Sequence, residues 1–380
     1  VIETTNDSGV FVGTFKVPDY KGQDMALTYY DSKDASGEAV EVYDETTVTS
    51  NSGSVSFDRS VYPVPFGTNE LRTGADATTG QSEAGNVTMT ISIADSDYTG
   101  DTLTTSGANA AGTVLVKLIE GTTTSTCFTA GSAASNTAYK SASTTHELGP
   151  FSEVEIGSSV YELEFTLDEI THCGANMRTI TSGDVFQVEY VDSADDAGVS
   201  ATVYDSSTFD LRTGSLSVDK DVYVLGSDVV ITLTDPDLNL DSASIESYAL
   251  SMIEWDSAAD SSELMNDTDN FTANPSKLQE TGSDTGVFQS VVTLPSSSIY
   301  PGGSTSNTAV VIDYGEAVTL TYVDVGLSGE DNIEDDRLDV EAYFSISNFG
   351  ALIELDKAVY NWTDTVYITI TSPDHNVNSA

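Results

Sequence analysis

Val229-Val230-Ile231-Thr232-Leu233-Thr234 alternates apolar and hydroxyl residues and runs straight into Asp235-Pro236-Asp237-Leu238-Asn239-Leu240-Asp241. Alternation with a period of two puts one face of a strand in a core and the other in water. The Asp, Pro and Asn residues that follow end the strand in a turn. The same strand occurs twice more, as Val87-Thr88-Met89-Thr90-Ile91-Ser92-Ile93 and Val366-Tyr367-Ile368-Thr369-Ile370-Thr371. Each copy leads into its own acidic turn. One is Asp95-Ser96-Asp97 with Asp101 nearby, the other Ser372-Pro373-Asp374-His375-Asn376-Val377-Asn378. Aligned on the strand, Asp97, Asp237 and Asp374 share one position.

Three further motifs recur in fixed order around this strand. The first is Phe57-Asp58-Arg59-Ser60-Val61-Tyr62, Val218-Asp219-Lys220-Asp221-Val222-Tyr223 and Leu355-Asp356-Lys357-Ala358-Val359-Tyr360. The second is Tyr29-Tyr30-Asp31, Tyr190-Val191-Asp192 and Tyr322-Val323-Asp324. The third is Gly9-Val10-Phe11, Ser159-Val160-Tyr161 and Gly286-Val287-Phe288. Asp58 and Asp219 are 161 residues apart, and so are Asp31 and Asp192. The next interval is shorter, 137 residues by the first motif and 132 by the second. Independent motifs thus define one long and one shorter repeat that differ by loop insertions, among them Gly67 to Gly85 and Gly302 to Thr308.

The spacing predicts four units: residues 1–50 as the end of one domain, 51–213 and 214–347 as complete domains, and 348–380 as the start of another. Each complete unit has room for about seven short strands, which makes the expected class all-β, tandem immunoglobulin-like β-sandwich domains. One short helix is expected at Ser244 to Glu254. The tyrosine of the Asp-Lys-x-Val-Tyr motif is expected in the core, and its Asp-Lys pair exposed and of little energetic weight.

Asp and Glu number 61 against 13 Lys and Arg, for a formal net charge of −48, while 39% of residues are hydrophobic. That apolar fraction supports folded cores, whereas disorder goes with few apolar residues. A surface so negative repels nucleic acid, which is held through clustered Lys and Arg, and it attracts cations. Charge of this size also destabilises a fold unless counter-ions screen it. Cys127 and Cys173 suit a single disulfide in an oxidising compartment. Five Asn-x-Ser/Thr sequons, at Asn6, Asn86, Asn266, Asn270 and Asn361, fit an exported glycoprotein. No apolar run reaches transmembrane length.

The acidic turns are the best candidate sites. Asp235, Asp237, Asn239 and Asp241 place oxygen side chains on alternate residues, as Ca²⁺ or another hard divalent cation requires. Asp95, Asp97 and Asp374 occupy the corresponding turns. The same residues also suit a turn capped by its own Asp and Asn side chains. Acidic clusters follow the Tyr-x-Asp motif as well: Asp31 with Asp34, Asp192 with Asp195 and Asp196, and the run holding Asp331, Asp335 and Asp336. These are expected near domain junctions, where an ion would stiffen the array. His146, His172 and His375 fall in unrelated contexts, and no nucleophile elbow, H-E-x-x-H or phosphate loop occurs. Nothing in the chain points to catalysis.

Asp219-Lys220-Asp221-Val222-Tyr223 with its acidic turn, and Asp356-Lys357-Ala358-Val359-Tyr360 with Pro373-Asp374-His375-Asn376, resemble the repeats of the surface-layer (S-layer) glycoproteins of ammonia-oxidising archaea of the Nitrosopumilus type. The first repeat departs from that pattern with Pro63-Val64-Pro65 and a long insertion. The resemblance implies an extracellular, porous, two-dimensional lattice of identical subunits, hexagonal in such families, with metal ions at acidic sites and glycans outside. It also implies a negative coat that concentrates cations, ammonium among them, at the cell surface. The competing expectation is a cell-surface adhesin or fibre of tandem sandwiches.

Overall fold

A computed structural model describes residues 1–15, 17, 23–65, 85–98, 100–103, 113–131, 146–167, 170–173, 176–258, 263–265, 272–294, 312, 315–325, 337–347 and 351–372. Two β-sandwiches lie in series. In the first, one sheet orders its strands Ser54–Phe57, Val87–Ala94, Val160–Leu167, Phe151–Glu153 and Thr102–Leu103. The facing sheet runs His146–Glu147, Thr123–Ala130, Val114–Glu120, Val185–Asp192, Ala201–Asp210 and Val61–Pro63. The second sandwich repeats this plan. Ser215–Val218, Asp228–Thr234, Val287–Thr293, Thr272–Glu280 and Ser247–Ala249 form one sheet. Val222–Tyr223, Arg337–Ile346, Ala317–Val325, Ile253–Ser257 and Glu263–Leu264 form the other.

In both sandwiches the chain enters in one sheet and crosses at the Asp-Arg/Lys motif to the opposite sheet. There it pairs in parallel with the last strand: Val61 with Thr208, and Val222 with Ser345. This split first strand, with the order of the remaining strands, is the immunoglobulin-like arrangement.

The alternation of the opening strand is realised residue by residue. Val87, Met89, Ile91 and Ile93 are fully buried, as are Leu118, Phe186, Val188 and Tyr190 from the opposite sheet. Val229, Ile231 and Leu233 do the same in the second core with Trp255, Leu320 and Phe344. Burying each such side chain stabilises by about 1.5–3 kcal/mol. A disulfide joins Cys127 to Cys173 (S–S 2.01 Å), tying the Thr123–Ala130 strand to the Ile170–Cys173 strand.

The chain's two flanking segments are open. Gln23–Asp31 pairs with Val40–Val48, and Leu352–Leu355 with Ile368–Thr371, each as a two-stranded sheet. Leu27, Tyr29, Ile353, Leu355, Ile368 and Ile370 stand at positions that are core in the complete sandwiches, yet are exposed here.

The short helix expected at Ser244 to Glu254 is not formed. Ser247–Ala249 and Ile253–Ser257 are strands joined by a 3-10 turn at Leu250–Met252. Tyr248, Leu250, Met252 and Trp255 are buried, so the segment packs into one sheet and passes to the other rather than presenting a helical stripe.

Candidate functional site: the junction between sandwiches

The acidic turn begins where the alternating strand ends. Asp235 caps a 3-10 turn over Pro236–Leu238, its Oδ1 accepting the Asp237 N–H at 2.8 Å. Proline at the first position supplies the required φ and gives up an N–H that would lack a partner. Tyr322 donates its hydroxyl to Asp235 Oδ2 at 2.5 Å. Two residues along the same strand, Asp324 Oδ2 accepts the Gly214 N–H at 2.6 Å. The acidic turn and the Tyr-x-Asp motif are therefore two halves of one site.

The first sandwich builds the same site. Tyr190 donates to Asp95 Oδ2 at 2.6 Å, Asp95 Oδ1 accepts the Asp97 N–H at 2.9 Å, and Asp192 Oδ2 accepts the Gly53 N–H at 2.8 Å. Burial pushes the Asp95 carboxyl up, against the pull of the Tyr190 and Asp97 donors. Burial and then the Asp95 hydrogen bond push the Tyr190 phenol up, which keeps it a donor at neutral pH. Gly53 is required here: a Cβ would stand 2.6 Å from Tyr190 Cε1 and 3.1 Å from Asp95 Oδ2.

What these carboxylates hold is the incoming linker. Arg212, between the two sandwiches, donates its backbone N–H to Asp237 Oδ2 (2.7 Å), Nε to Asp237 Oδ1 (3.2 Å) and Nη2 to the Pro236 carbonyl (2.9 Å). Asn51 takes that place before the first sandwich, giving both N–H and Nδ2 to Asp97 Oδ1 at 2.9 and 3.0 Å.

The far side of the acidic turn reaches the preceding sandwich. Arg59 donates Nη1 to the Asn239 carbonyl and Nη2 to Asn239 Oδ1, both at 2.7 Å, and Nη2 lies 3.1 Å from Asp284 Oδ1. Ser242 donates to Asp58 Oδ2 at 2.7 Å, and the Thr88 N–H to the Leu240 carbonyl at 2.9 Å. Leu240 packs into the core of the first sandwich. Arg59 is left 9% exposed, so its forked contacts work away from bulk water, where charge-assisted bonds count for more. Glu246 Oε1 fixes the end of the turn by accepting the Leu240 and Asp241 N–H groups at 3.0 and 2.7 Å.

The residues anticipated as cation ligands thus have protein donors. Asp235, Asp237 and Asn239 are buried in the junction, and Asp241 Oδ1 accepts the Ala243 N–H at 2.9 Å. Asp95 and Asp97 play the corresponding parts one sandwich earlier. Asp331, Asp335, Asp336 and Asp374 lie outside the described residues. Among the described residues no group of three or more His, Cys, Asp and Glu is placed to hold a metal ion. The two described acidic clusters after Tyr-x-Asp, at Asp34 and Asp195, resolve into capped hairpin turns. Asp34 Oδ1 accepts from Ser36 and Glu38 N–H, and Asp195 Oδ1 from Ala197 and Val199 N–H. Of the sequons, Asn6, Asn86 and Asn361 are exposed, while Asn266 and Asn270 lie outside the described residues.

The Asp-Arg/Lys pair is more than an exposed strand start. Tyr62, Tyr223 and Tyr360 each donate their hydroxyl to the Asp four residues earlier, at 2.6 Å in the latter two. That Asp also accepts an N–H from the next long strand, at Thr90, Val230 and Tyr367. Sequence reasoning missed a further repeat. Glu3, Glu153 and Glu280 each accept the N–H six residues on, at Gly9, Ser159 and Gly286, with 2.9, 3.0 and 2.8 Å separations. All three of those residues have positive φ. The signal was present as a Glu six positions before the Gly/Ser of the third motif.

No family model matches the chain, and no curated protein matches it. Among solved structures, it is similar to the Yersinia pseudotuberculosis adhesin InvE at 10% identity and a TM-score of 0.21, covering 77% of this chain and 59% of that one. It is similar also to the Escherichia coli adhesin FdeC at 12% identity and a TM-score of 0.21, covering 87% and 76%.

Proposed function

We propose that this chain is a length of a stiff extracellular structural protein, a tandem array of sandwiches at a cell surface. The observation that carries this reading is the junction: Arg59 and Arg212 reach the same acidic turn from opposite sides, one from the preceding sandwich and one from the linker. A linker meant to swing needs no such contacts, and relative motion is the usual expectation for domains joined by small interfaces. The acidic surface and the disulfide fit an exported protein that works in salt.

In its finer form the array is an S-layer coat, where fixed orientation between domains supports a regular lattice and the negative surface holds counter-cations such as ammonium. A second reading, an adhesin stalk or fibre, is favoured by one feature: the observed lock runs along the chain, from one sandwich to its successor. Electron cryotomography of cells carrying the protein tests both. A periodic layer that is lost when the protein is removed supports the coat. Scattered projecting fibres would replace it with the stalk, and absence of the protein from the cell surface would overturn both.

A further inference from the structure

In both complete sandwiches the strand that enters the far sheet and the strand that leaves it lie side by side. Val61–Pro63 pairs with the end of Ala201–Asp210, Val61 opposite Thr208, Tyr62 opposite Phe209 and Pro63 opposite Asp210. Val222–Tyr223 pairs with Ser345 and Ile346 at the end of Arg337–Ile346. Both pairs are parallel. The Thr208 N–H donates to the Ser60 carbonyl at 3.1 Å, and the Ser345 and Ser347 N–H groups donate to the Asp221 and Tyr223 carbonyls at 2.9 Å each.

The chain comes into the first sandwich beside the turn at residues 195–199. The Asp196 N–H reaches Ser52 Oγ at 3.2 Å, and the Ser50 hydroxyl donates to the Asp195 carbonyl. It leaves past Asp210, at the other end of the strand that starts at Ala201. Tension along the chain therefore draws the entering and leaving strands in opposite directions along a shared line. Ladder hydrogen bonds run between strands and not along them. Such a pull loads all of them together instead of one after another.

The Asp-Arg/Lys-x-Val-Tyr motif pins the entering strand against that slide. Tyr62 and Tyr223 are fully buried, and their rings pack on Phe209 and Phe344 of the leaving strands, with centroids 6.1 and 5.1 Å apart. Their hydroxyls donate to Asp58 and Asp219. The same carboxylates accept the Thr90 and Val230 N–H groups of the next long strand at 2.7 and 2.8 Å. To slip, the entering strand must draw an aromatic ring through a close-packed core and break a charge-assisted hydrogen bond.

We propose that the chain bears tension along its length, and that the parallel strand pair with its Asp–Tyr pin resists that tension in each complete sandwich. The proposal gives a working role to a repeated motif that the junction does not account for. It rests on the reading of the chain as a tandem extracellular array, but its test reads forced unfolding and not the cell surface, so either can fail alone.

Single-molecule pulling on the full 380-residue chain tests it, with handles on non-natural residues so that the disulfide is kept. Handles at the two chain ends slide the strand pair. Handles at Val1 and at Val199, which is 60% exposed, pull the first sandwich from neighbouring points at one end and peel its strands bond by bond. The step of the first sandwich is identified by the 46 residues that the disulfide withholds until it is reduced. Forced unfolding reports the unfolding rate. At equal force that rate should be lower by about tenfold or more in the end-to-end pull, where several bonds must fail at once. Tyr62→Phe should speed end-to-end unfolding about tenfold, as loss of one hydrogen bond to a charged group does, and should speed peeling less. Equal rates in the two geometries would overturn the proposal. So would a Tyr62→Phe effect of the same size in both, which would make the tyrosine a stabilising residue with no part in resisting tension.

Discussion

At the scale of single residues, the repeated motifs are hydrogen-bonding units more than packing units. Asp356 and Tyr360 show this best. They keep the contact seen in Asp219 and Tyr223 although, among the described residues, their own segment has no opposing sheet. A four-residue spacing and one strand N–H are sufficient to form it. Tyr161 breaks the pattern of its own motif, standing where the other repeats have Phe11 and Phe288. Its ring is fully buried, and among the described residues its hydroxyl has no hydrogen-bond partner. Burial, then the Glu153 and Asp95 charges, push its phenol up. A buried hydroxyl without a partner costs stability. Tyr161→Phe should therefore leave the urea midpoint unchanged or raise it, by up to about 1 kcal/mol in stability. A loss larger than that would reveal a bond the hydroxyl makes in solution.

At the scale of elements, the strands were legible in the sequence because a period of two is written in consecutive residues. The turns were less so. Asp235 to Asp241 reads equally well as a cation loop or a capped turn, and the choice depends on donors from Arg59, Arg212 and Tyr322, distant in sequence. The Glu246–Glu280 pair is another such case. Burial, with Glu280 beside it, pushes the Glu246 carboxyl up to about 8. Burial also works to raise Glu280, but the bond with Glu246 and the Gly286 and Thr285 N–H groups hold it below its ordinary value.

The two shifts act in opposite directions. Glu246 binds its proton more tightly folded than unfolded, so its contribution is complete below the unfolded value and is lost as pH rises toward about 8. Glu280 contributes above its unfolded value and is lost on acidification. Ionisation of Glu246 loses its hydrogen bond to Glu280 and meets the cost of burial, whereas the Leu240 and Asp241 N–H groups favour the carboxylate and stay on it. Thermal melts of the protein should show stability falling between pH 5 and about 8, and Glu246→Gln should flatten that slope. An unaltered slope in the variant would place the titration elsewhere.

At the scale of the whole molecule, the tandem array is legible in the sequence, since independent motifs return at shared intervals. The junction was not legible. Arg59 and Asn239 are 180 residues apart in sequence, and nothing local in either marks it as an interface residue. A chain of net charge −48 has few cations to place, and Arg59 and Arg212 both serve this one boundary. Each is joined to groups of the protein itself, and we propose that these contacts, with no need of a bound ion, fix the orientation of the two sandwiches.

Double electron–electron resonance tests that claim most directly. Spin labels are carried on non-natural residues at Ser206 and Glu341, exposed positions in the first and second sandwich, so that the native disulfide is kept. The account predicts one narrow distance distribution, unchanged by chelator and broadened in Arg59→Ala with Arg212→Ala. A broad distribution in the unmodified chain, or one that narrows only when Ca²⁺ is added, would contradict it.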